Sequence, residues 1–206
     1  MKTSIASAGN MDPHSGAVLA RFPIPSGEGG LAALLQTLGF SCTRCGECCR
    51  GESVDDHLVL VTPREVRGII RTFGDSWEEI AEPFPFFTSH GEAGFHTFEW
   101  CLKREGGRCK FLGKEGGCGI YPARPWICRT YPFVLDECGL VVYPCPGLGK
   151  GMTAAEAEAI AADLRARERF DREEEDRVRE VLAANPLPPG RVVIDGEGVK
   201  VLSWVR

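Results

Sequence analysis

The 206 residues, with 43% apolar and 26% charged side chains, suffice for one cored domain or one domain with appendages. Lys plus Arg total 24 against 29 Asp plus Glu, a net charge of -5, so no basic excess points to nucleic acid or an anionic membrane as the main partner. No apolar run approaches the roughly eighteen residues of a membrane helix, and the opening MKTSIASAGNMDPHSGAVLARF lacks the apolar stretch of a secretory signal. The expected location is the cytoplasm, where the ten cysteines are reduced and a disulfide framework is the weaker reading.

Residues 1–27 are rich in Gly, Ser and Pro and read as poorly ordered, and LAALLQTLGF (31–40) reads as a short helix within a 1–40 N-terminal segment. HLVLVT (57–62) reads as a strand. In TPREVRGIIRTFG, Thr62 is an N-cap, Pro63 suits the first helical position and Glu65 closes the capping box. Val66, Ile69, Ile70 and Phe73 recur at helical spacing, and Gly74 stops the helix. Ser76 and Glu79 repeat the cap before a loop at Pro83 and Pro85. FHTFEWCL (95–102) alternates loosely like a strand, residues 103–130 read as loop-rich, and YPFVL and GLVVYP around DECG read as a hairpin. Thr153 and Glu156 cap a long helix whose apolar face is Ala157, Ile160, Ala161 and Leu164. Its RARERFDREEEDRVRE stretch is a solvated surface of i,i+4 ion pairs, and NPLPPG ends it. RVVIDGEGVKVLSWVR then forms a hairpin turning at Asp195–Gly198. The expected fold is α+β: a loop-rich domain (41–150) organised around a cysteine metal cluster, with the helix and hairpin of 151–206 packing on or extending it.

The cysteines occupy positions 42, 45, 48, 49, 101, 109, 118, 128, 138 and 145. CTRCGECCR (42–50) holds four. A turn in C-x-x-C brings two thiolates to one side, and Gly46 lets backbone N–H groups approach the sulfurs. If Cys48 and Cys49 are extended, their side chains face opposite ways, so the pair predicts two sites sharing one segment. Zinc ribbons use two separated knuckles. Only one knuckle-spaced segment occurs here, whereas C-x2-C-x2-C plus a remote Cys-Pro is the ferredoxin arrangement for a four-iron cluster. Cys42, Cys45, Cys48 and Cys145, followed by Pro146, fit that set, leaving Cys49, Cys109, Cys118 and Cys128 for a second. Cys101, in an apolar run, reads as a buried hydrophobe, and Cys138 as an exposed thiol; either is an alternative eighth ligand to Cys145.

CTRCGECC, CKFL and CGIYPARPWIC together resemble the YkgJ-type cysteine-cluster family, a CxxCxxCC zinc- or iron-chelating domain. The resemblance runs from Cys42 to about Gly147 and implies that Cys42, Cys45, Cys48, Cys49, Cys109, Cys118 and Cys128 bind metal. It leaves zinc or an iron–sulfur cluster open, and spacing favours 4Fe–4S. The chain therefore reads as a metal-binding redox or accessory protein. The alternatives are a structural zinc-binding interaction module without redox activity, and a component of a methyltransferase-type enzyme, since larger flagellin lysine methylases carry a similar cluster. Metal ions, and a protein for the accessory role, are the partners; nucleic acid and membrane are not. Two thiolate sites would bring about -4 of charge, for which Arg44, Arg50, Lys110, Arg124 and Arg129 stand nearby in sequence.

Other patterns carry less. His14, His57, His90 and His96 have no metal spacing to a cysteine, with His96 a weak alternative ligand. PGLGKG (146–151) lacks the P-loop glycine and hydroxyl spacing; its G-x-G-x-G would suit S-adenosylmethionine but reads as a plain loop. Tyr121, Trp126, Tyr131 and Phe133, among Pro122, Pro125 and Pro132, read as a rigid loop plus core.

Overall fold

The computed structural model describes residues 18–51, 58–89 and 94–202. His14, His57 and His90, and the last residues of the C-terminal hairpin reading, lie outside them.

The elements run β1 (Ala20–Phe22), α1 (Gly30–Leu38), β2 (Leu60–Val61), α2 (Pro63–Phe73), α3 (Trp77–Ile80), β3 (Ala81–Pro83), β4 (Thr88–Ser89), β5 (Gly94–Thr97) and β6 (Trp100–Leu102). There follow β7 (Arg104–Glu105), β8 (Arg108–Cys109), α4 (Trp126–Thr130), β9 (Phe133–Asp136), β10 (Gly139–Val142), α5 (Ala154–Ala184), β11 (Gly190–Asp195) and β12 (Gly198–Val201). Single 3₁₀ turns occupy Glu47–Cys49 and Tyr121–Ala123. Both α2 and α5 start at the expected capping boxes, Thr62 with Glu65 and Thr153 with Glu156, and Gly74 closes α2 in the left-handed region. The mixed helix-and-strand class, the long C-terminal helix and the C-terminal hairpin follow the sequence expectation.

Two apolar cores lie among the described residues. In the first, α1 and α5 pack on the antiparallel sheet β1–β10–β9, burying Leu31, Leu35, Phe133, Leu140, Val142, Ala157 and Leu164. In the second, α2 and the sheet β2–β6–β3 bury Val61, Val66, Ile69, Ile80, Trp100, Leu102 and Ile127. Cys109 belongs to this second core, and Cys49, Cys118 and Cys128 pack against it. The sheet β12–β11–β5–β4 lies at the Val193 side of the same core, with β11 and β5 parallel.

Several local expectations are corrected. Part of the 1–27 stretch is strand, because Ala20–Phe22 pairs with Val142–Leu140 and Phe22 joins the first core. FHTFEWCL is two strands, since Gly94–Thr97 follows β11 while Trp100–Leu102 turns away to β2 and β3. A chain serving two sheets bends between them, here at Phe98–Glu99. The 103–130 loop contains the β7–β8 hairpin and α4.

Candidate metal centre

The CTRCGECCR segment is held at both ends by other parts of the backbone. At its start, Ser41 N–H donates to Gly147 O (3.0 Å), Gly149 N–H donates to Gly39 O (3.0 Å), and Phe40 bridges Leu148. This brings the chain around Cys42 against the Cys145–Pro146 segment. At its end, Gly51 N–H donates to Gly107 O (3.0 Å) and Arg50 bridges Arg108. That seats Cys49 beside the hairpin bearing Cys109. From there Leu112 bridges Cys118, with Gly113 N–H on Gly117 O (2.8 Å) and Gly119 N–H on Phe111 O (2.8 Å). Cys128 arrives last, on α4.

Close backbone approach requires glycine at two of these points. A Cβ on Gly147 would lie 2.5 Å from Ser41 O and 2.9 Å from the Phe40 ring. PGLGKG is thus packing loop, as read. Gly46 has φ 74°, and a Cβ there would meet Leu112 Cδ1 at 2.9 Å. Its left-handed backbone tightens the chain into the Glu47–Cys49 turn, closed by Cys49 N–H on Gly46 O (3.0 Å).

That turn overturns the extended reading of Cys48 and Cys49. Their sulfurs lie 3.9 Å apart, so the pair does not face opposite ways, and any two sites sharing this segment would meet at this turn. The Cys49 thiol donates to Cys48, which holds Cys48 down at about 7 against its burial, with the Arg124 charge assisting. The same bond, then burial, pushes Cys49 far up.

The other thiols define two neighbourhoods. Burial raises Cys128 well above an ordinary thiol, and the charges of Cys109, Cys48 and Cys118 add to this. Cys49 likewise feels Cys48, Cys128 and Cys109. Burial also raises Cys145, and the nearby Cys45, Cys48 and Cys42 add to this. Cys48 therefore adjoins both groups. All ten cysteines are free of disulfides. Cys101 is fully buried in β6 and pushed up by desolvation. Cys138 is exposed, its N–H turned onto Asp136 Oδ1.

One backbone device recurs. The N–H two residues on faces the sulfur at Cys109 (from Phe111), Cys118 (from Ile120) and Cys145 (from Gly147, 3.4 Å), and each opposes the desolvation of its thiol. The last position of C-x-F and C-x-I thus supplies the amide that stabilises a thiolate.

Of the cations expected nearby, Arg124 stands out. Its charge favours the thiolate at both Cys48 and Cys118, against their burial, and it stacks 3.6 Å over Tyr121, with Arg44 5.0 Å from the same ring. Arg50 donates to Cys45 O (3.1 Å) and braces the turn. Lys110 is drawn to Glu79 O and Asp75, and Arg129 to Asp163. Sequence reasoning missed Arg104, which pairs with Cys109 across the β7–β8 ladder and whose charge partly offsets the burial that raises this thiol. Only the hairpin register reveals that pairing. Of the aromatics, Phe133 belongs to the first core, Trp126 lies beside Phe170, and Tyr131 donates to Pro144 O (2.6 Å). His96 sits in β5 against Phe98.

The donors fit a thiophilic ion in kind: reduced sulfurs, partly desolvated, with amides and a guanidinium turned toward them. Among the described residues, no three His, Cys, Asp or Glu side chains already converge into a closed ligand shell.

These features define a small α+β domain built around a cysteine cluster. Residues 41–159, over half of the chain, match the CxxCxxCC family, described as a "putative zinc- or iron-chelating domain", and the chain belongs to that family. It is also similar to the uncharacterized protein MJ0661 of Methanocaldococcus jannaschii, at 29% identity over 100 residues. That match covers 48% of this chain and 47% of the relative, so the chain spans about half of the relative's length. No solved structure matches. No helix among the described residues is long and apolar enough to cross a membrane.

Proposed function

We propose that the chain is a cytoplasmic metal-binding protein in which eight thiolates hold an iron–sulfur cluster, zinc, or both. Cys42, Cys45, Cys48 and Cys145 form one donor set, with Cys49, Cys109, Cys118 and Cys128 as the other. The observation supporting this most directly is the pair of backbone ladders flanking CTRCGECCR, one toward the Cys145 segment and one toward the Cys109 hairpin. Side-chain rotation about the existing backbone would accompany loading.

The iron–sulfur reading is preferred at the Cys145 set, from C-x2-C-x2-C plus Cys-Pro. A cluster there would supply one-electron chemistry, and this chain's residues would contribute the Gly147 amide, the Arg124 charge and the Tyr131 wall. A redox or accessory role with a protein partner follows. The second reading, a structural zinc module, is favoured at the other set by its contact with the apolar core. The enzyme-component reading draws no support from PGLGKG, whose glycine answers a packing need.

Anaerobic purification followed by iron, sulfide and zinc analysis with visible spectroscopy tests the proposal. Brown protein with matching iron and sulfide is expected. Colourless protein holding only zinc would remove the redox role, and metal-free protein would remove the proposal.

A further inference from the structure

We propose that Glu65 is the positioning residue for the Cys128 side of the metal centre. This rests on the reading above that Cys128 is a ligand. In an ordinary capping box the N3 carboxylate serves its own helix and leaves an oxygen to solvent. Here both oxygens are used. Oε2 accepts from Thr62 N–H (2.9 Å) and from the Thr62 hydroxyl (3.1 Å), closing the first turn of α2. Oε1 accepts from Trp126 N–H at 2.8 Å, sixty-one residues away in the chain.

Trp126 opens α4, a helix of five residues with no cap of its own: Pro125 precedes it and no side-chain bond closes its start. So short a helix does not hold itself. Its placement comes from Ile127, which enters the second core, from α5 through the Arg129–Asp163 pair and Arg167 on the Thr130 hydroxyl (3.0 Å), and from the Glu65 bond, which ties its first residue to α2. Cys128 follows directly and packs against that core. One carboxylate thus fastens α2, which is rooted in the apolar core, to the backbone that presents Cys128. Groups that orient a metal ligand without touching the ion typically alter affinity 10- to 100-fold when lost.

The test separates tethering from helix capping. Wild type, Thr62→Ala and Glu65→Ala are stripped of metal, titrated with Co2+, and then competed with Zn2+ and a chromophoric chelator. Thr62→Ala removes the hydroxyl cap of α2 but keeps the Trp126 tether. It is expected to melt earlier while binding Co2+ with wild-type affinity and the wild-type thiolate-to-cobalt spectrum. Glu65→Ala is expected to bind 10- to 100-fold more weakly, with a changed spectrum. Wild-type affinity and spectrum in Glu65→Ala, or an equal loss in Thr62→Ala, would overturn the inference. If Glu65→Ala does not fold by circular dichroism, Glu65→Gln takes its place, offering one acceptor oxygen to two N–H donors. A threefold or greater loss supports the tether, and unchanged binding overturns it. A wild type that takes up no Co2+ overturns the metal-centre reading together with this inference, whereas normal wild-type uptake with unaffected Glu65 variants overturns this inference alone.

Discussion

The crossing of Gly147 over Phe40–Ser41 supplies a test that needs no cysteine replacement. In Gly147→Ala the added Cβ would lie 2.5 Å from Ser41 O and 2.9 and 3.2 Å from two Phe40 ring carbons. A backbone oxygen cannot rotate aside, so the two strands of chain must separate by roughly 0.9 Å to reach an ordinary contact. Overpacking of this kind costs about 1–3 kcal/mol. The shift acts on Ser41 N–H to Gly147 O and on Gly147 N–H to Cys145 Sγ, the bonds holding Cys145 near Cys42. Gly74→Ala, at the C-terminal end of α2, is the control: its φ of 81° makes alanine costly, about 1–2 kcal/mol, but nothing lies within 4 Å of a Cβ there. Chemical denaturation should therefore register both variants, while metal analysis should separate them. Gly147→Ala is expected to lose metal from the Cys145 set, lowering the metal-to-protein ratio, and Gly74→Ala to retain its full complement. Full metal content in Gly147→Ala despite lowered stability would refute the coupling between this crossing and the centre.

Cys128→Ser should lower metal content and melting temperature together, because a structural thiolate site contributes folding energy outright. Cys138→Ser, at an exposed turn position, should change neither, and an equal loss in both would contradict the assignment. Stability of the metal-free protein should also bend with pH in a defined direction. Burial raises Cys101, Cys109, Cys118, Cys128 and Cys145, so above about pH 9 the unfolded chain releases these protons first, and stability falls by up to about 1.4 kcal/mol per pH unit per group. Cys48, held down at about 7, adds stability that is present above the ordinary thiol range and lost as pH falls through 7. Denaturation midpoints should peak between these limits. A midpoint still climbing at pH 10 would oppose this account, and bound metal should abolish the alkaline loss because its thiolates are already ionised.

The sequence was most legible where structure is local. The capping boxes at Thr62 and Thr153, the hairpins around Asp136–Gly139 and Asp195–Gly198, and the apolar stripe of α5 each depend on neighbours a few residues apart. It was least legible where an element owes its form to distant chain. β1 is a strand only because β10 offers it an edge. FHTFEWCL divides because two sheets claim its halves. The Cys48–Cys49 turn follows from Gly46 packed under Leu112, and Glu65 reveals its second bond only when α4 is in place. The candidate site was readable as a set of residue types in order. The amides and guanidinium around it were not, since Arg104 meets Cys109 through strand register.

The division into two cores carries a final consequence. The core around Phe133 rests on the 31-residue α5, on α1 and on a three-stranded sheet, elements able to bury a continuous apolar surface without help. The cysteine-bearing chain is built from pieces of two to five residues: β7, β8, α4 and two 3₁₀ turns. Pieces so short do not persist alone, and their cohesion must come from the second core and from whatever the thiolates hold. Removing the metal should therefore loosen the protein unevenly. In hydrogen exchange, the N–H groups of Gly51, Lys110, Gly113 and Gly119, which bond across the cysteine loops, should lose protection on chelation. The N–H of Leu102, bonded to Val59 O within the second core, should lose less, and those of the β9–β10 ladder least. Uniform loss across all three groups would mean that the metal stabilises the whole chain as one cooperative unit. Unchanged protection in the cysteine loops would mean that their backbone ladders suffice without it, and the coupling of metal to local fold argued here would fail.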